Sequence, residues 1–133
     1  MIGKIVYLNE KSEELEIKEI DINLENLHAL LNGGYLENAV ISEKLFENNI
    51  HVLIDEEGKI KDLKPKIIIL DKDLNIIDVI VGSVIFIGTD LSIGDFCGLN
   101  NKQINLIYEI FKNKLIQIKL SDNSCKKIHM INY

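Results

Sequence analysis

Arginine is absent from this sequence, so all 15 basic residues are lysines. Without a guanidinium, no carboxylate or phosphate can be gripped by a planar bidentate fork. An anion must instead be held by ammonium groups, backbone N–H groups or hydroxyls. Cysteine occurs only as Cys97 and Cys125. Met1 to Leu8 hold one Lys and too short an apolar run for a secretory signal, so the two cysteines read as reduced thiols in a cytoplasm. A disulfide between them is the weaker reading, because a chain of 133 residues buries enough surface to fold without a staple. No apolar run reaches the length of a transmembrane helix, which excludes a membrane span of that kind. Alanine is scarce while Ile, Asn and Lys abound, as codon usage in an AT-rich genome would produce. The single proline, Pro65, fixes an extended or turning segment at Lys64–Lys66.

The net charge of −6 disfavours non-specific binding to nucleic acid and to anionic membranes. Duplex DNA is therefore not an expected partner, although an acidic surface that imitates DNA stays compatible with the charge. With 47% hydrophobic and 27% charged residues, the chain reads as one folded domain over residues 1–133.

The stretch Asn75–Thr89 organises the rest. Two runs rich in Ile and Val flank Gly82 and Ser83, too β-branched for a helix and too apolar to leave exposed. We read them as two core strands, a pair with both faces covered over at least part of its length. Before it, Ile2–Leu8 and Leu15–Ile20 predict a first hairpin. Asn23 caps a short helix near 24–32, with Leu24, Leu27 and Leu31 on one stripe and Gly33–Gly34 ending it. Tyr35–Ile41 and Ile50–Asp55 are paired strands joined by a looser Ser42–Asn49. Gly58 is expected at positive φ in a bulged turn, and Ile67–Leu70 fits either a strand or a buried loop. Asn100 and Gln103 form a capping box for a longer helix near 101–115, with Ile104, Ile107, Phe111 and Leu115 on one face. Ile116–Leu120 and Cys125–Ile131 predict a C-terminal hairpin. The class is α+β, mainly an antiparallel sheet with two helices.

Chemistry is harder to find. His28, His51 and His129 lack the i+3 or i+4 partners of zinc sites. Asp71–Asn75 begins like a calcium loop but places Ile76 and Gly82 where Gly and Glu are needed, so it reads as a solvated turn. No Gly-x-Ser-x-Gly elbow occurs, and Cys97 reads as a small core residue. Asp78, in an otherwise apolar strand, fits an edge or outward position. Gly33–Gly34, Gly82–Ser83, Gly88–Thr89 and the Lys64/Lys66 pair lack Walker or dinucleotide spacing. No catalytic residue, metal or cofactor is expected.

The order of five motifs carries a resemblance. G-G-Y-L-E at Gly33–Glu37 is followed by D-E-E-G-K-I-K-D-L-K-P at Asp55–Pro65 and by D-x-D-x-x-I-x-D-V-I-V-G from Asp71 to Gly82. I-F-I-G at Ile85–Gly88 and G-D-F-x-x-L-x-x-x-Q from Gly94 to Gln103 complete the set. Over residues 1–112 the chain resembles a small family of phage and mobile-element proteins catalogued as a domain of unknown function. Lys64-Pro65-Lys66-Ile67 stands where that family usually has Pro-Pro-Asn-Arg, and residues 113–133 extend past its usual end. The resemblance implies an accessory protein, in a host cytoplasm, encoded beside genes that counter host defences. The expected function is non-enzymatic sequestration of a small nucleotide-like immune signal, with Tyr35, Lys64, Lys66 and Thr89 as the binding residues. The alternative is an acidic inhibitor of a host defence protein, acting through its charge or a free strand edge, with the C-terminal hairpin as a surface for homo-oligomers.

Overall fold

A computed structural model describes the whole chain, Met1–Tyr133. Its elements are, in order, β1 (Ile2–Leu8), β2 (Leu15–Asp21), α1 (Leu24–Leu30), β3 (Leu36–Ala39), α2 (Glu43–Glu47), β4 (Ile50–Asp55), β5 (Pro65–Leu70), β6 (Ile76–Val81), β7 (Val84–Asp90), β8 (Asp95–Cys97), α3 (Asn101–Phe111), β9 (Leu115–Lys119) and β10 (Cys125–Asn132). The fold is α+β, as the sequence predicts. No helix is long and apolar enough to cross a membrane.

The strands form two sheets, with order β2-β1-β7-β4-β3 in the first and β6-β5-β10-β9 in the second. Every pairing is antiparallel except β5 with β10. The short β8 pairs with the end of β7 from Gly88 to Asp90. The apolar alternation of β1, β4 and β7 fills both faces of the first sheet. One face carries Ile5, Tyr7, Leu53, Ile85 and Ile87 against Leu27 and Leu31 around α1. The opposite face presents Val6, Leu8, Val52, Val84 and Phe86 to Ile67, Ile69, Ile80 and Ile131 of the second sheet. Ile104, Ile107 and Phe111 of α3 and Leu45 of α2 close this main core. Each such side chain contributes about 1.5–3 kcal/mol when fully buried.

Of the two strands around Gly82 only β7 is a core strand; β6 is an exposed edge with Ile80 alone buried, and the two do not pair with each other. β6 is an edge of the second sheet and β7 the centre of the first, so the chain changes layer at Gly82–Ser83. Gly82 has φ +80, and a Cβ there would lie 2.7 Å from the Leu63 side chain. Only glycine makes that crossing without strain. The expected cover falls on β7, where Ile85 and Ile87 are fully buried, while Val79 and Val81 on β6 are half-buried.

Other expectations are corrected locally. Ser42–Asn49 contains the one-turn helix α2. Ile67–Leu70 is strand β5, with Ile67 wholly buried. Gly58 does not take positive φ; Asp62 does, at 58°. Both bonds of the capping box form, Asn100 Oδ1 accepting from Gln103 N at 2.8 Å and Gln103 Oε1 from Asn100 N at 2.9 Å. The helix nevertheless stops at Phe111, because Lys112 is extended and Asn113 left-handed, so Leu115 opens β9 instead of extending the helical face. The C-terminal hairpin is no external addition: β10 lies inside the second sheet, between β5 and β9.

Candidate functional site

The motifs of the sequence meet at the Ser83 end of β7. Asp55, the last residue of β4, is turned inward with its side chain 3% exposed. Its Oδ2 accepts from Lys61 Nζ at 2.7 Å and its Oδ1 from Glu57 N at 2.9 Å, so the buried charge is paired and hydrogen-bonded. The bond to Asp55 raises the Lys61 pKa, with burial opposing. Gly34 lies directly over this carboxylate: a Cβ at that position would sit 2.4 Å from it. Gly33–Gly34 and the Asp55 loop, far apart in the chain, are thus joined by one steric requirement.

Beside Asp55 a polar clamp holds the β1–β2 loop. Ser83 Oγ accepts from Glu10 N at 2.9 Å, and Glu10 Oε2 accepts from Lys64 N at 2.9 Å. Lys66 Nζ donates to the carbonyls of Glu10, at 3.0 Å, and of Ser12. His129 on β10 places Nε2 2.8 Å from Glu13 O, and its Nδ1 has no partner. Burial pushes both Lys66 and His129 below their ordinary pKa values; Lys126 adds to the first shift, while the Glu13 carbonyl opposes the second. The cavity among Glu10, Asp55, Lys61 and Ser83 is about 60 Å³, room for little more than water. This region ties strands from both sheets to one loop.

Three of the four expected binding residues stand around this end. Tyr35 is 62% exposed, near Lys61. Lys64 is exposed, but Lys66 is 5% exposed and its ammonium is engaged with carbonyls. Thr89 is at the opposite end of β7, paired with Phe96, its Oγ1 buried without a partner. The four do not form one site.

The remaining reactive groups are separate. His28 Nδ1 lies 2.7 Å from Gly34 O, and His51 contacts Asn38. Cys97 is half-buried, at the end of short strand β8 rather than in the core, and burial raises its thiol pKa, helped by Asp90 and Asp95. A raised thiol pKa makes a poor nucleophile. Asp78 is on the edge strand β6, exposed and 3.0 Å from Lys59 Nζ. No group of three or more His, Cys, Asp or Glu converges as metal ligands.

A different surface has the room and the apolar lining of a binding site. Asp71 Oδ1 accepts from Asp73 N and Asn75 N, closing the tight β5–β6 turn, and Leu74 within it takes φ 65. That left-handed conformation is costly for a residue with a branched side chain. It leaves Leu74 71% exposed, followed by Ile76 and Ile77 at 60% and 50%. Across from the turn, Tyr133 is fixed by its N–H to Leu70 O at 2.8 Å, and its carbonyl accepts from Glu43 N at the start of α2. Between them is a depression of about 550 Å³ whose apolar wall is Leu70, Leu74, Ile77 and Tyr133. A second, of about 390 Å³, lies along α2 and α3 and shares Glu43, Asn132 and Tyr133 with the first.

Sequence reasoning missed this groove. Its one local signal is Leu74, an apolar residue in a turn otherwise made of Asp, Lys and Asn. Tyr133 gave none, because its position depends on β10 pairing with β5.

A family model described as a domain of unknown function (DUF3846) matches residues 3–112. The matched part ends at α3, so β9, β10 and Tyr133 lie beyond it. No curated protein and no solved structure matches the chain.

Proposed function

We propose that this chain, which belongs to the DUF3846 family, acts by binding a partner protein and not by turning over a substrate. The setting we propose is the one implied by the family resemblance: an accessory protein of a phage or mobile element, directed against a host defence protein. The observation that carries the proposal is a group of exposed apolar side chains around one depression, Leu74 in the β5–β6 turn and Ile77 on β6, with Tyr133 opposite. Single exposed apolar residues are ordinary, but a contiguous group held out by a strained turn is what a contact surface requires.

A second reading keeps the nucleotide-like ligand. It is favoured by Tyr35, an exposed ring near the Lys61 ammonium with Lys64 on the same loop. A base could stack on the ring and a phosphate could meet the ammonium groups. Against it stands the pairing of Lys61 with Asp55, which neutralises that ammonium.

The two readings part in one experiment. The protein is incubated with lysate from cells whose defences are induced, then recovered and heated, and both released small molecules and retained proteins are identified by mass spectrometry. A protein retained by the wild type and lost by Leu74→Asp supports the first reading. A nucleotide released by the wild type and absent from a Tyr35→Ala, Lys64→Glu variant supports the second and displaces the first.

A further inference from the structure

We infer that the edge strand β2 pairs antiparallel with β2 of a second copy of this chain, about a two-fold axis at Ile17. β2 has β1 as its only neighbour in the sheet. Ile22 N donates to Met1 O at 2.8 Å, which turns the backbone groups of the even-numbered residues here toward β1. The odd-numbered residues turn theirs outward. Asp21 O accepts from Asn26 Nδ2 at 2.7 Å and Leu15 O from Tyr108 Oη at 3.2 Å, both from outside the sheet. Between those two ends, Ile17 and Glu19 present N–H and C=O groups to no neighbouring strand. Such a row is a template for another strand, and β2 has neither a proline nor a bulge to keep one off.

The charges of β2 select the second copy and its register. When a strand pairs antiparallel with itself, outward residues meet outward residues, so the axis passes through one residue. An axis at Glu16, Lys18, Glu19 or Asp21 sets that residue against its own copy; one at Leu15 sets Glu14 against Glu16, and one at Ile20 sets Glu19 against Asp21. Like charges directly opposite are destabilising. Only the axis at Ile17 avoids this within the strand. It sets Ile17, 51% exposed, against Ile17, Glu16 against Lys18 twice over, and Leu15 against Glu19. Leu15 O keeps a second lone pair for the Glu19 N–H of the copy. Asp21 then falls opposite Glu13, which lies in the loop before the strand, and its charge is already met by the Met1 ammonium at 2.7 Å. Of the four strands that end a sheet, β2 alone carries both signs: β3, β6 and β9 have one charged residue each, Glu37, Asp78 and Lys119. No register of the C-terminal hairpin's β9 with itself therefore forms an ion pair. β2 supplies no residue to the depression at Tyr133, so the dimer carries two copies of that surface.

One strand pair is a small contact, so the test covers weak association: sedimentation velocity of the full chain from about 10 µM to about 1 mM. The wild type is expected to pass from monomer to dimer across that range. In NMR spectra the amides of Ile17 and Glu19 should gain protection from hydrogen exchange as concentration rises. Lys18→Glu and Glu16→Lys each set like charges opposite, and each should weaken the dimer by about tenfold. An equimolar mixture of the two variants restores both attractive pairs and should dimerise within about threefold of the wild type, a rescue that misfolded chains could not give. Any adduct from a crosslinker at position 17 should have twice the chain's mass, the mark of a second copy. A wild type monomeric at every concentration, a dimer untouched by either swap, a mixture no better than its components, or a different protein joined to position 17 overturns the inference.

Discussion

Replacing Ile131 by alanine tests how far the C-terminal strand belongs to the fold. Ile131 is 1% exposed, pairs with Ile69 across the parallel β5–β10 ladder, and joins the main core. Truncation removes three carbons, about 2.4 kcal/mol at about 0.8 kcal/mol per methylene. A residual cavity of about 50 Å³ adds about 1.2 kcal/mol at about 24 cal/mol per Å³. The expected loss is therefore about 3.5 kcal/mol, a fall in Tm on the order of 10 °C. Urea unfolding followed by circular dichroism measures it without relying on tryptophan, which the chain lacks. The midpoint should fall with the slope unchanged and a single transition retained. Ile118→Ala on β9, half-buried on the outer face of the same sheet, should cost about 1 kcal/mol or less. A loss under about 1 kcal/mol for Ile131→Ala, or a separate early transition for residues 113–133, would refute the placement of β10 as a core strand.

Gly34→Ala should destabilise by about 1–3 kcal/mol, since its Cβ would sit 2.4 Å from the Asp55 carboxylate; adding Asp55→Gly should make the second loss smaller than it is alone, and additive losses by thermal melting would contradict the contact. Burial holds the His129 pKa below 6.5 in the fold, so the unfolded chain takes up more protons as pH falls. The His129 contribution is thus constant above about pH 6.5 and declines below it, by at most about 1.4 kcal/mol per pH unit, down to the folded pKa. Urea midpoints between pH 7.5 and 5 should show the decline, and His129→Leu should flatten it. Exposed Cys125 should alkylate with iodoacetamide at least tenfold faster than Cys97, whose thiol is half-buried and raised in pKa; equal rates by peptide mass spectrometry would show β8 to be open.

Local chemistry made much of the fold legible. Asn23 and Asn100 announce helices because a cap is a bond between near neighbours, and both side chains accept the expected backbone N–H. The β1–β2 hairpin follows from apolar spacing along a continuous piece of chain. What local pattern cannot fix is which strand lies beside which. The runs flanking Gly82 are equally apolar, yet one is an edge and the other a centre, a difference made by strands 30 to 80 residues away. Ile67–Leu70 is ambiguous in sequence for a similar reason: a short apolar run becomes a strand here because β6 and β10 supply hydrogen bonds on both sides. At the candidate sites, Lys64 and Lys66 are neighbours in sequence, but Lys66 turns inward to the Glu10 and Ser12 carbonyls while Lys64 stays exposed. Thr89, within β7 near its end, is separated by most of the strand's length from Ser83, which precedes its start, and so from Tyr35 and Lys64.

The most direct test of the central claim is site-specific crosslinking in cells. A photoreactive benzophenone side chain is placed at position 74, in the exposed turn, and in a parallel protein at position 17, exposed on the far edge strand β2. Neither position is buried, so both proteins should fold with stability within about 0.5 kcal/mol of the wild type. Binding through the Tyr133 groove predicts a discrete protein adduct from position 74 that is absent from position 17 and lost when Ile77→Asp is added. Adducts of equal intensity from both positions, or none from position 74 beside a discrete one from position 17, would contradict it.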